Sequence, residues 1–480
     1  MSAACNPVDS VRGSAGEFAQ AALASLFEPK TVAVFGISSD PAKLGNVILG
    51  NIITNGFRGH IYGIGRVAVG QTTPPMVIDG ATIVASFDDI HEIVDIALFA
   101  VPASGLLDAL RAVPPGRVKL AVAIASGFSE VGEAGRRKEE ALREYCANRH
   151  LSLVGPNCQG VVVPHARLQM TFSPMYSNML AGPVAIISQS GAMGGYMANR
   201  LMQRGIGLSC FISSGNETSI STTDYIAALN CDQSTRVILC YLEQITDGRR
   251  FASVVRNLDP AKRLVVVKSG RSPAGAAAIS SHTGAIAGDD KVVDGVFRQL
   301  GIIRARDSGT AVDAVTALSA GKVLSGHRIG ILSVAGGLAV ELADLLEMRG
   351  FEVPEFDSNT LEKLKSVVPE FGATRNPIDL TGAVLTQETL FEDTLQTFSC
   401  AINIDGFAVI STYIRNPRYA HAIVRLFRST DKPLIVCWTG SVEQTPESLA
   451  ILAKAGVPVY DNTARAANAF CALRRDPTVG

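Results

Sequence analysis

Apolar and polar positions alternate along this chain in two recurring patterns. Short runs rich in Val, Ile, Leu and Ala predict buried strands, and segments with apolar residues every three to four positions predict amphipathic helices between them. This order is typical of βαβ units built around parallel sheets. The runs predict strands near residues 31–35, 60–62, 95–101, 119–124, 152–154, 184–188, 209–212, 236–242, 264–268, 329–333, 407–411 and 434–437.

One arrangement, a buried strand followed by a glycine turn and a helix, is repeated along the chain. It occurs at TVAVFGISSD (31–40), GPVAIISQSGAMGG (182–195) and HRIGILSVAGGLAVELADLL (327–346). We interpret each occurrence as the start of a separate doubly wound module. The predicted fold class is therefore α/β, with three doubly wound parallel-sheet domains. The predicted divisions are a mobile N-terminal arm with a short helix over 1–26 and domains over 27–165, 180–318 and 327–475.

The composition excludes several classes of protein. Hydrophobic residues make up 47% of the 480 positions and charged residues 18%, which is too apolar for a disordered chain. A net charge of -1 gives no electrostatic reason to expect nucleic acid or an anionic membrane as a partner. The nine cysteines are scattered singly without a CxxC pair, so we expect no metal site.

The N-terminus and the length of the apolar runs bear on where the chain resides. The first residues lack a basic region followed by an apolar core, so they do not resemble a secretory signal. No apolar run approaches the roughly 20 residues that a membrane-spanning helix needs. We therefore expect a soluble protein, and cysteines inside apolar runs favour a reducing, cytoplasmic compartment.

The loop after the first strand, GISSDPAKLGN (36–46), has the features of a phosphate site. Gly36 lies at the turn, and the amides at the start of the next helix suit phosphate oxygens. Ser38 and Ser39 supply hydroxyls, and Lys43 adds a positive charge. The loop is not a GxGxxG fingerprint, because only Gly36 is placed as that fingerprint requires.

The end of the second strand indicates which ligand suits this loop. A site for NAD needs an acidic residue there, whereas the sequence HIYGIGR places Arg66 at that position. A basic residue suits a phosphorylated ribose, which coenzyme A has and NAD lacks. Lys43 and Arg66 can instead be ordinary surface charges, and the sequence leaves that alternative open.

Three further strand ends of the first module suit an extended ligand. VPAS (101–104), ASGF (125–128) and LVGPNCQG (153–160) combine small residues with hydroxyl, amide and thiol groups where parallel strands end. A turn alone also explains the Gly-Pro-Asn sequence. The candidate contacts at these strand ends are Val101, Pro102, Ser104, Ser126, Gly127, Asn157 and Cys158. We interpret Cys158 as a structural residue near the reactive end of the ligand, because nothing in the sequence lowers the pKa of its thiol.

Together, the GISSDP loop, the VPA strand end, GPNC, SQSGAM and SHTGA resemble the coenzyme A-binding and ligase modules of the succinyl-CoA synthetase superfamily. The resemblance is closer to its ADP-forming acetate–CoA ligase branch and extends from about residue 27 to near the C-terminus. It implies a Rossmann-like coenzyme A-binding domain followed by two flavodoxin-like ligase domains. One departure lies after the second strand, where related ligases typically read VNP and this chain reads GIGRVAVGQTT.

His282 is the candidate catalytic residue. It lies in GRSPAGAAAISSHTGAIAGDD (270–290), which we interpret as a small, polar loop. A neutral imidazole is a competent nucleophile near pH 7. The resemblance implies that His282 carries a phosphoryl group during the reaction.

Other polar strand ends of the second module suit the phosphohistidine and the substrate. Ser190, Gly191 and Ala192 open a helix after a strand, and its first amides favour a phosphate. Glu243 ends an apolar strand, and the resemblance implies that it holds His282, although an ordinary strand-end charge remains the alternative. Asn216 and Glu217 in SSGNE are candidate contacts for the acyl group or phosphate.

The resemblance implies the α-type subunit of an acyl-CoA synthetase. Such a subunit interconverts acyl-CoA, ADP and phosphate with carboxylic acid, coenzyme A and ATP by way of acyl phosphate and phosphohistidine. The chain has no GxxxxGK[ST] sequence, so we expect ATP or ADP with Mg²⁺ on a separate ATP-grasp β-type subunit, in a homo- or hetero-oligomer. Two alternatives are a non-catalytic coenzyme A-binding regulator that has lost this partner and an NAD-linked dehydrogenase, which the single-glycine loop disfavours.

Overall fold

The computed structural model describes residues 14–65, 76–177, 179–283, 288–412 and 414–474. The chain divides into two compact units. The first unit consists of residues 1–202 and 207–300, and the second of residues 203–206 and 301–480.

The first sheet of the first unit is almost entirely parallel. Its strands are β1 (Thr31–Ile37), β2 (His60–Gly65), β3 (Met76–Ile78), β4 (Ala81–Val84), β5 (Val94–Phe99), β6 (Val118–Ala123) and β7 (Ser152–Val154). They lie in the order β3-β4-β2-β1-β5-β6-β7, and only β3 is antiparallel to its neighbour. The helices between them are α1 (Ser14–Phe27), α2 (Leu44–Thr54), α3 (Ala103–Arg111) and α4 (Glu133–Arg149).

The apolar runs form the centre of this sheet because helices cover it. Strand β5 is buried at every position, and the ring of Phe99 stacks on that of Phe35 in β1 with centroids 4.3 Å apart. Helix α1 packs against the first sheet and is not a free arm. Its Leu23 and Leu26 are buried, and it contacts β5, β6 and β7.

The second sheet of the first unit combines a parallel centre with an antiparallel hairpin. Its strands are β8 (Gly160–Val163), β9 (Leu168–Thr171), β10 (Ala181–Ser188), β11 (Leu208–Ser213), β12 (Val237–Leu242) and β13 (Arg263–Lys268). They lie in the order β13-β12-β10-β11-β8-β9, and β8 pairs antiparallel with both β11 and β9. Its helices are α5 (Gly191–Met202), α6 (Thr222–Cys231), α7 (Gly248–Arg256), α8 (Pro273–Thr283) and α9 (Asp290–Gln299). The sequence did not predict the β8–β9 hairpin.

The second unit contains the short strand β14, a parallel sheet of five further strands, and helices. Its elements are β14 (Ile303–Ala305), α10 (Ser308–Ser319), β15 (Ile329–Ser333), α11 (Gly336–Glu347), α12 (Ser358–Val367), β16 (Ile378–Asp379), α13 (Leu390–Ser399), β17 (Gly406–Ser411), α14 (Arg418–Ser429), β18 (Leu434–Trp438), α15 (Pro446–Lys454), β19 (Val459–Tyr460) and α16 (Thr463–Leu473). The sheet order is β16-β15-β17-β18-β19, and all of these pairs are parallel.

A buried carboxylate joins several segments of the second unit. Asp313 is 5% exposed and accepts hydrogen bonds from Arg204 (2.9 Å) and from two nitrogens of Arg465 (2.8 and 2.6 Å). The Tyr460 hydroxyl donates to the Asp313 carbonyl. Two guanidinium groups thus compensate the desolvation of this carboxylate.

The structure confirms the α/β class and the three predicted sheets, although the second sheet is mixed. Within the described residues, no helix is long and apolar enough to cross a membrane.

Candidate active site

A cavity of about 670 Å³ opens in the first unit where strands of both sheets end. The first sheet supplies the segments after β6 and β7 and one side of α4, and the second sheet supplies the segments after β10, β11 and β12. This is the edge at which open parallel sheets bind ligands. The cavity brings together nine of the residues that the sequence singled out, namely Ser126, Asn157, Cys158, Ser190, Gly191, Ala192, Asn216, Glu217 and Glu243.

Seven further candidates within the described residues do not line this cavity. Gly36, Ser38, Ser39, Lys43, Val101, Pro102 and Gly127 lie at or near strand ends of the first sheet. Lys43 is exposed and is the N-cap residue of α2, and its neighbour Leu44 does line the cavity. Arg66 lies outside the described residues.

The turn at Gly36 requires glycine. Its φ of +94° lies in the left-handed region, and a Cβ added there would come within 2.3 Å of the Ala100 carbonyl oxygen. The loop beyond it is fixed by Asn46, which donates to the carbonyls of Ser38 (2.7 Å) and Asp40 (2.6 Å). The first strand therefore ends in an ordered, exposed loop that precedes the N-terminus of α2.

The backbone amide of Gly127 has a hydrogen-bond partner within the protein. With φ at +110°, it donates its N–H to the Glu130 carboxylate at 2.6 Å. Burial alone would raise the pKa of Glu130, but hydrogen bonds from the Gly127 amide and from Asn216 outweigh it and lower the pKa. Glu130 is therefore an ionised acceptor next to Ser129, which lines the cavity.

The side chain of Asn216 connects three loops around the cavity. Its Nδ2 lies 2.9 Å from Glu139 Oε2, 3.2 Å from Glu130 Oε2 and 3.1 Å from Ser129 Oγ, and its two hydrogens are shared among these acceptors. Its Oδ1 accepts from Asn157 Nδ2 at 3.2 Å. Because Glu139 is only 6% exposed, this amide compensates a desolvated carboxylate.

Glu217 lines the cavity next to Asn216 but has different partners. The Thr222 hydroxyl donates to its Oε1 at 2.6 Å, and its backbone has a φ of 55°, which is uncommon for a residue other than glycine. Burial raises the pKa of the Glu217 carboxyl despite hydrogen bonds from Thr222 and Gln189.

The predicted phosphate cradle lies at the start of α5. Ser190 Oγ accepts from the Met193 amide at 3.4 Å, and Gly191 and Ala192 form the first turn. A Cβ at Gly191 would come within 2.5 Å of Gln159 Cγ, so only glycine allows this close approach. The first amides of α5 therefore line the cavity, where the helix dipole favours an anion.

Gln189 holds the two strand ends of the second sheet together, and the sequence did not predict this. Its Oε1 accepts from the amides of Glu243 (2.6 Å) and Gln244 (3.0 Å), and its Nε2 donates to the Gln244 carbonyl. Glu243 is 8% exposed, and its carbonyl accepts from buried Lys268 at 2.7 Å. A glutamine directly after a buried strand was the available signal.

The segment that carries His282 is helical, so the prediction of a loop was wrong. Helix α8 runs from Pro273 to Thr283, and the Ser272 hydroxyl accepts from the Gly275 amide in its first turn. Alanines within the segment are strong helix formers and outweigh its glycine and serine content. Helix α8 packs against the short 3₁₀ turn Ser129–Val131, which includes the cavity-lining Ser129. The backbone of His282 is described as helical, and its side chain lies outside the described residues.

Cys158 is a neutral, buried thiol. It is 5% exposed and donates to the Ala123 carbonyl at 3.3 Å. Burial raises its pKa to about 12, so the thiolate is not available near neutral pH.

Two arginines of α4 also line the cavity, and sequence analysis missed them. Arg136 pairs with Glu133 at 2.9 Å, and Arg143 pairs with Glu140 and lies 3.5 Å from Glu139. Their positive charges are thus balanced by glutamates on the same helix. The only signal in the sequence was the dense charge pattern of this helix.

Comparisons with known proteins agree with this architecture. Residues 30–164 match the family described as a CoA binding domain, and residues 181–318 match the one described as a succinyl-CoA ligase like flavodoxin domain. These two matches, together with the relatives below, place the chain in the class of acid–thiol ligases that resemble succinyl-CoA synthetase.

Individual relatives define the family more closely. The chain is 36% identical over 461 residues to the α subunit of acetate–CoA ligase [ADP-forming] I from Pyrococcus furiosus, covering 94% of this chain and 97% of that protein. It is 33% identical to acetate–CoA ligase [ADP-forming] I from Archaeoglobus fulgidus, covering 94% of this chain and 63% of that protein. The structure resembles acetyl-coenzyme A synthetase 1 of Ca. Korarchaeum cryptofilum, solved in complex with phosphate and ADP, with a TM-score of 0.86, 32% identity and coverage of 94% and 96%. The chain belongs to the ADP-forming acetate–CoA ligase family and is of its α-subunit type.

Proposed function

We propose that this chain is the α-type subunit of an ADP-forming acyl-CoA synthetase. It interconverts acyl-CoA, ADP and phosphate with a carboxylic acid, coenzyme A and ATP. The supporting observation is that the ends of both sheets of the first unit line one shared cavity. It is lined by the Asn157–Cys158 segment of the coenzyme A-binding half and by the Ser190–Ala192 cradle and Glu243 of the ligase half. We also propose the domain limits 27–165, 180–318 and 327–475.

The first sheet would hold coenzyme A along its carboxyl edge. The loop after β1 is ordered and exposed, and the glycine at its turn lets the chain pass close to the Ala100 carbonyl. Ser38, Ser39 and Lys43 would contact the phosphates at the start of α2. Asn157 and buried Cys158 would lie near the thiol end, because they line the cavity while Ser38 and Lys43 do not. Bound coenzyme A supplies the thiol that forms the thioester.

The second sheet would carry out phosphoryl transfer. The imidazole of His282 would take the phosphoryl group from the acyl phosphate, and the amides of Ser190, Gly191 and Ala192 would stabilise the anion. Glu243 would accept a hydrogen bond from one ring nitrogen and so orient the other toward phosphorus. Helix α8, which carries His282, packs against a turn that borders this cavity, and this supports the assignment.

The nucleotide would bind to a partner. We propose that ATP or ADP with Mg²⁺ is held by an ATP-grasp β-type subunit, because the chain resembles proteins named as α subunits. Splitting the reaction in this way lets one site exclude water during acyl chemistry while another binds nucleotide. The competing function is a coenzyme A-binding regulator without catalysis, and the polar groups retained in the cavity favour the enzyme.

Reconstitution tests the proposal. The purified chain should bind coenzyme A and not NAD by calorimetry, and alone it should form no acyl-CoA from acetate, ATP and coenzyme A. With a matching ATP-grasp subunit it should do so, and His282→Asn should abolish turnover while leaving coenzyme A binding intact. Binding of coenzyme A without turnover in the presence of that subunit would support the regulatory alternative.

A further inference from the structure

Two glutamates reach the cavity from the ends of β11 and β12, the strands on either side of β10, and the proposed phosphoryl transfer uses only one of them. Glu243 directly follows β12, beside the Ser190–Ala192 cradle, and its assigned partner is His282. Glu217 lies in the segment after β11 and has no role in the mechanism above. Its left-handed backbone is an unfavourable conformation for a glutamate, which is typical of residues constrained by function.

The segment that carries Glu217 runs along the one assigned to the thiol end of coenzyme A. The Asn216 amide donates to the Pro156 carbonyl at 3.0 Å, and the Thr218 amide donates to the Gly155 carbonyl at 3.2 Å. Glu217 lies between these two bonds in sequence. The side chains of Asn157 and Asn216 are joined at 3.2 Å. Two backbone hydrogen bonds and one side-chain hydrogen bond therefore fix Glu217 beside the Asn157–Cys158 segment.

From this juxtaposition we infer that Glu217 is the acid–base residue for the coenzyme A thiol. The inference rests on the proposed function and deepens it. Within one cavity, Glu217 transfers the proton beside the Asn157–Cys158 segment, and Glu243 assists phosphoryl transfer beside the Ser190–Ala192 cradle.

The surroundings of Glu217 suit a group that exchanges a proton, because they shift its pKa in opposite directions. Burial raises its pKa, while donation from Thr222 and Gln189 keeps the ionised form accessible. Tyr225 on α6 and Cys240 on β12 are the titratable groups near enough to interact with the Glu217 carboxylate. Burial raises the pKa of both groups, so both are neutral near pH 7.

The proton step balances in both directions. During acyl-CoA synthesis the Glu217 carboxylate takes the proton from the thiol as sulfur bonds to the acyl carbon and the carbon–oxygen bond to phosphate breaks. The proton then passes to the departing phosphate. During acyl-CoA cleavage, Glu217 takes the proton of the attacking phosphate as the phosphate oxygen bonds to the acyl carbon, and it gives this proton to the sulfur as the carbon–sulfur bond breaks. No oxidant or further reactant is needed.

The test separates the thiol step from the steps before it. With the ATP-grasp subunit, ATP, acetate and hydroxylamine but without coenzyme A, acyl phosphate is trapped as hydroxamate. We expect Glu217→Gln to retain hydroxamate formation and phosphate uptake but to lose about 10²-fold or more in acyl-CoA formation. The matched control is Glu144→Gln on the exposed side of α4, which should change neither rate. Equal loss of both reactions in Glu217→Gln, or retention of acyl-CoA formation, would overturn the inference.

A second variant tests proton transfer by Glu217 through the pH dependence of acyl-CoA synthesis. This test remains possible if Glu217→Gln does not fold. Thr222→Val removes the hydroxyl that donates to the carboxylate, so the pKa of Glu217 should rise further. Because the base is the ionised form, acyl-CoA synthesis should fall as pH falls through this pKa, and the midpoint should lie at higher pH in Thr222→Val. An unchanged midpoint would overturn the inference. Absence of phosphate uptake by the wild-type chain would refute the proposed function and the inference with it.

Discussion

Replacing Asn216 by aspartate tests how the two halves of the cavity are joined. The amide donates to Glu139 and Glu130 at 2.9 and 3.2 Å, and Asn216→Asp would place a third carboxylate against both. A hydrogen bond to a charged group contributes about 1.5–3 kcal/mol, and the buried Glu139 would also face a like charge. We therefore expect the first unit to lose about 2–4 kcal/mol of stability at pH 8.

The loss should depend on pH in a defined direction. Two neighbouring carboxylates raise the pKa of the new aspartate, so the destabilisation is present above that pKa and disappears as pH falls through it. Glu130 stays ionised over this range because hydrogen bonds lower its pKa. Below its pKa the aspartic acid can again donate a hydrogen bond to a glutamate.

Calorimetric melting between pH 8 and pH 5 measures this effect. The Tm of the variant should lie roughly 5 °C or more below wild type at pH 8, and the gap should narrow toward pH 5. The matched control is Asn51→Asp. The Asn51 amide donates to the uncharged Thr171 carbonyl (2.8 Å), so this variant should give a smaller gap with little pH dependence. A gap for Asn216→Asp that is absent, or that stays constant with pH, would refute the reasoning.

Three further predictions follow from single contacts. Gly36→Ala should weaken coenzyme A binding at least about ten-fold and lower the Tm, because the added Cβ would clash with the Ala100 carbonyl. In the control Gly50→Ala the added Cβ contacts nothing, so the helix α2 should be stabilised by about 0.5–1 kcal/mol. Calorimetric titration and melting compare the two variants, and equal changes in binding and Tm would contradict the account. Cys158, with a pKa of about 12, should resist iodoacetamide at pH 8 until denaturant is added, as mass spectrometry of its peptide would show; rapid native labelling would contradict this. Asp313→Asn should destabilise the second unit by about 3–5 kcal/mol, because it removes the buried carboxylate that Arg204 and Arg465 share. Urea unfolding measures this loss, and a change below about 1 kcal/mol would contradict the account.

The sequence predicted the elements whose pattern is local and uninterrupted. Strand β5 reads VDIALF and is buried throughout, as a central parallel strand requires. The β8–β9 hairpin was missed because its place depends on antiparallel pairing with β11, which no local pattern encodes. The α8 segment was misread because serine and glycine obscured the helix-forming alanines around His282.

The candidate site likewise contains some residues that the sequence could predict and others that it could not. Glu243 and Ser190 were predictable because polar residues directly follow buried strands, and parallel strands end at one edge. Gln189, Glu130 and Glu139 were not, because their roles arise from contacts between distant segments. Glu139 in particular looks like an ordinary helix-surface charge until Asn216 is placed against it.

Phosphorylation of His282 is the most direct test of the account. The chain would be incubated with the ATP-grasp subunit and γ-labelled ATP, and the label would be mapped by mass spectrometry. We predict acid-labile, base-stable phosphate on the peptide that carries His282, its loss in His282→Asn, and its retention in the control His327→Asn, which replaces an exposed histidine of the second unit. Label on another residue, or label that persists in His282→Asn, would contradict the account.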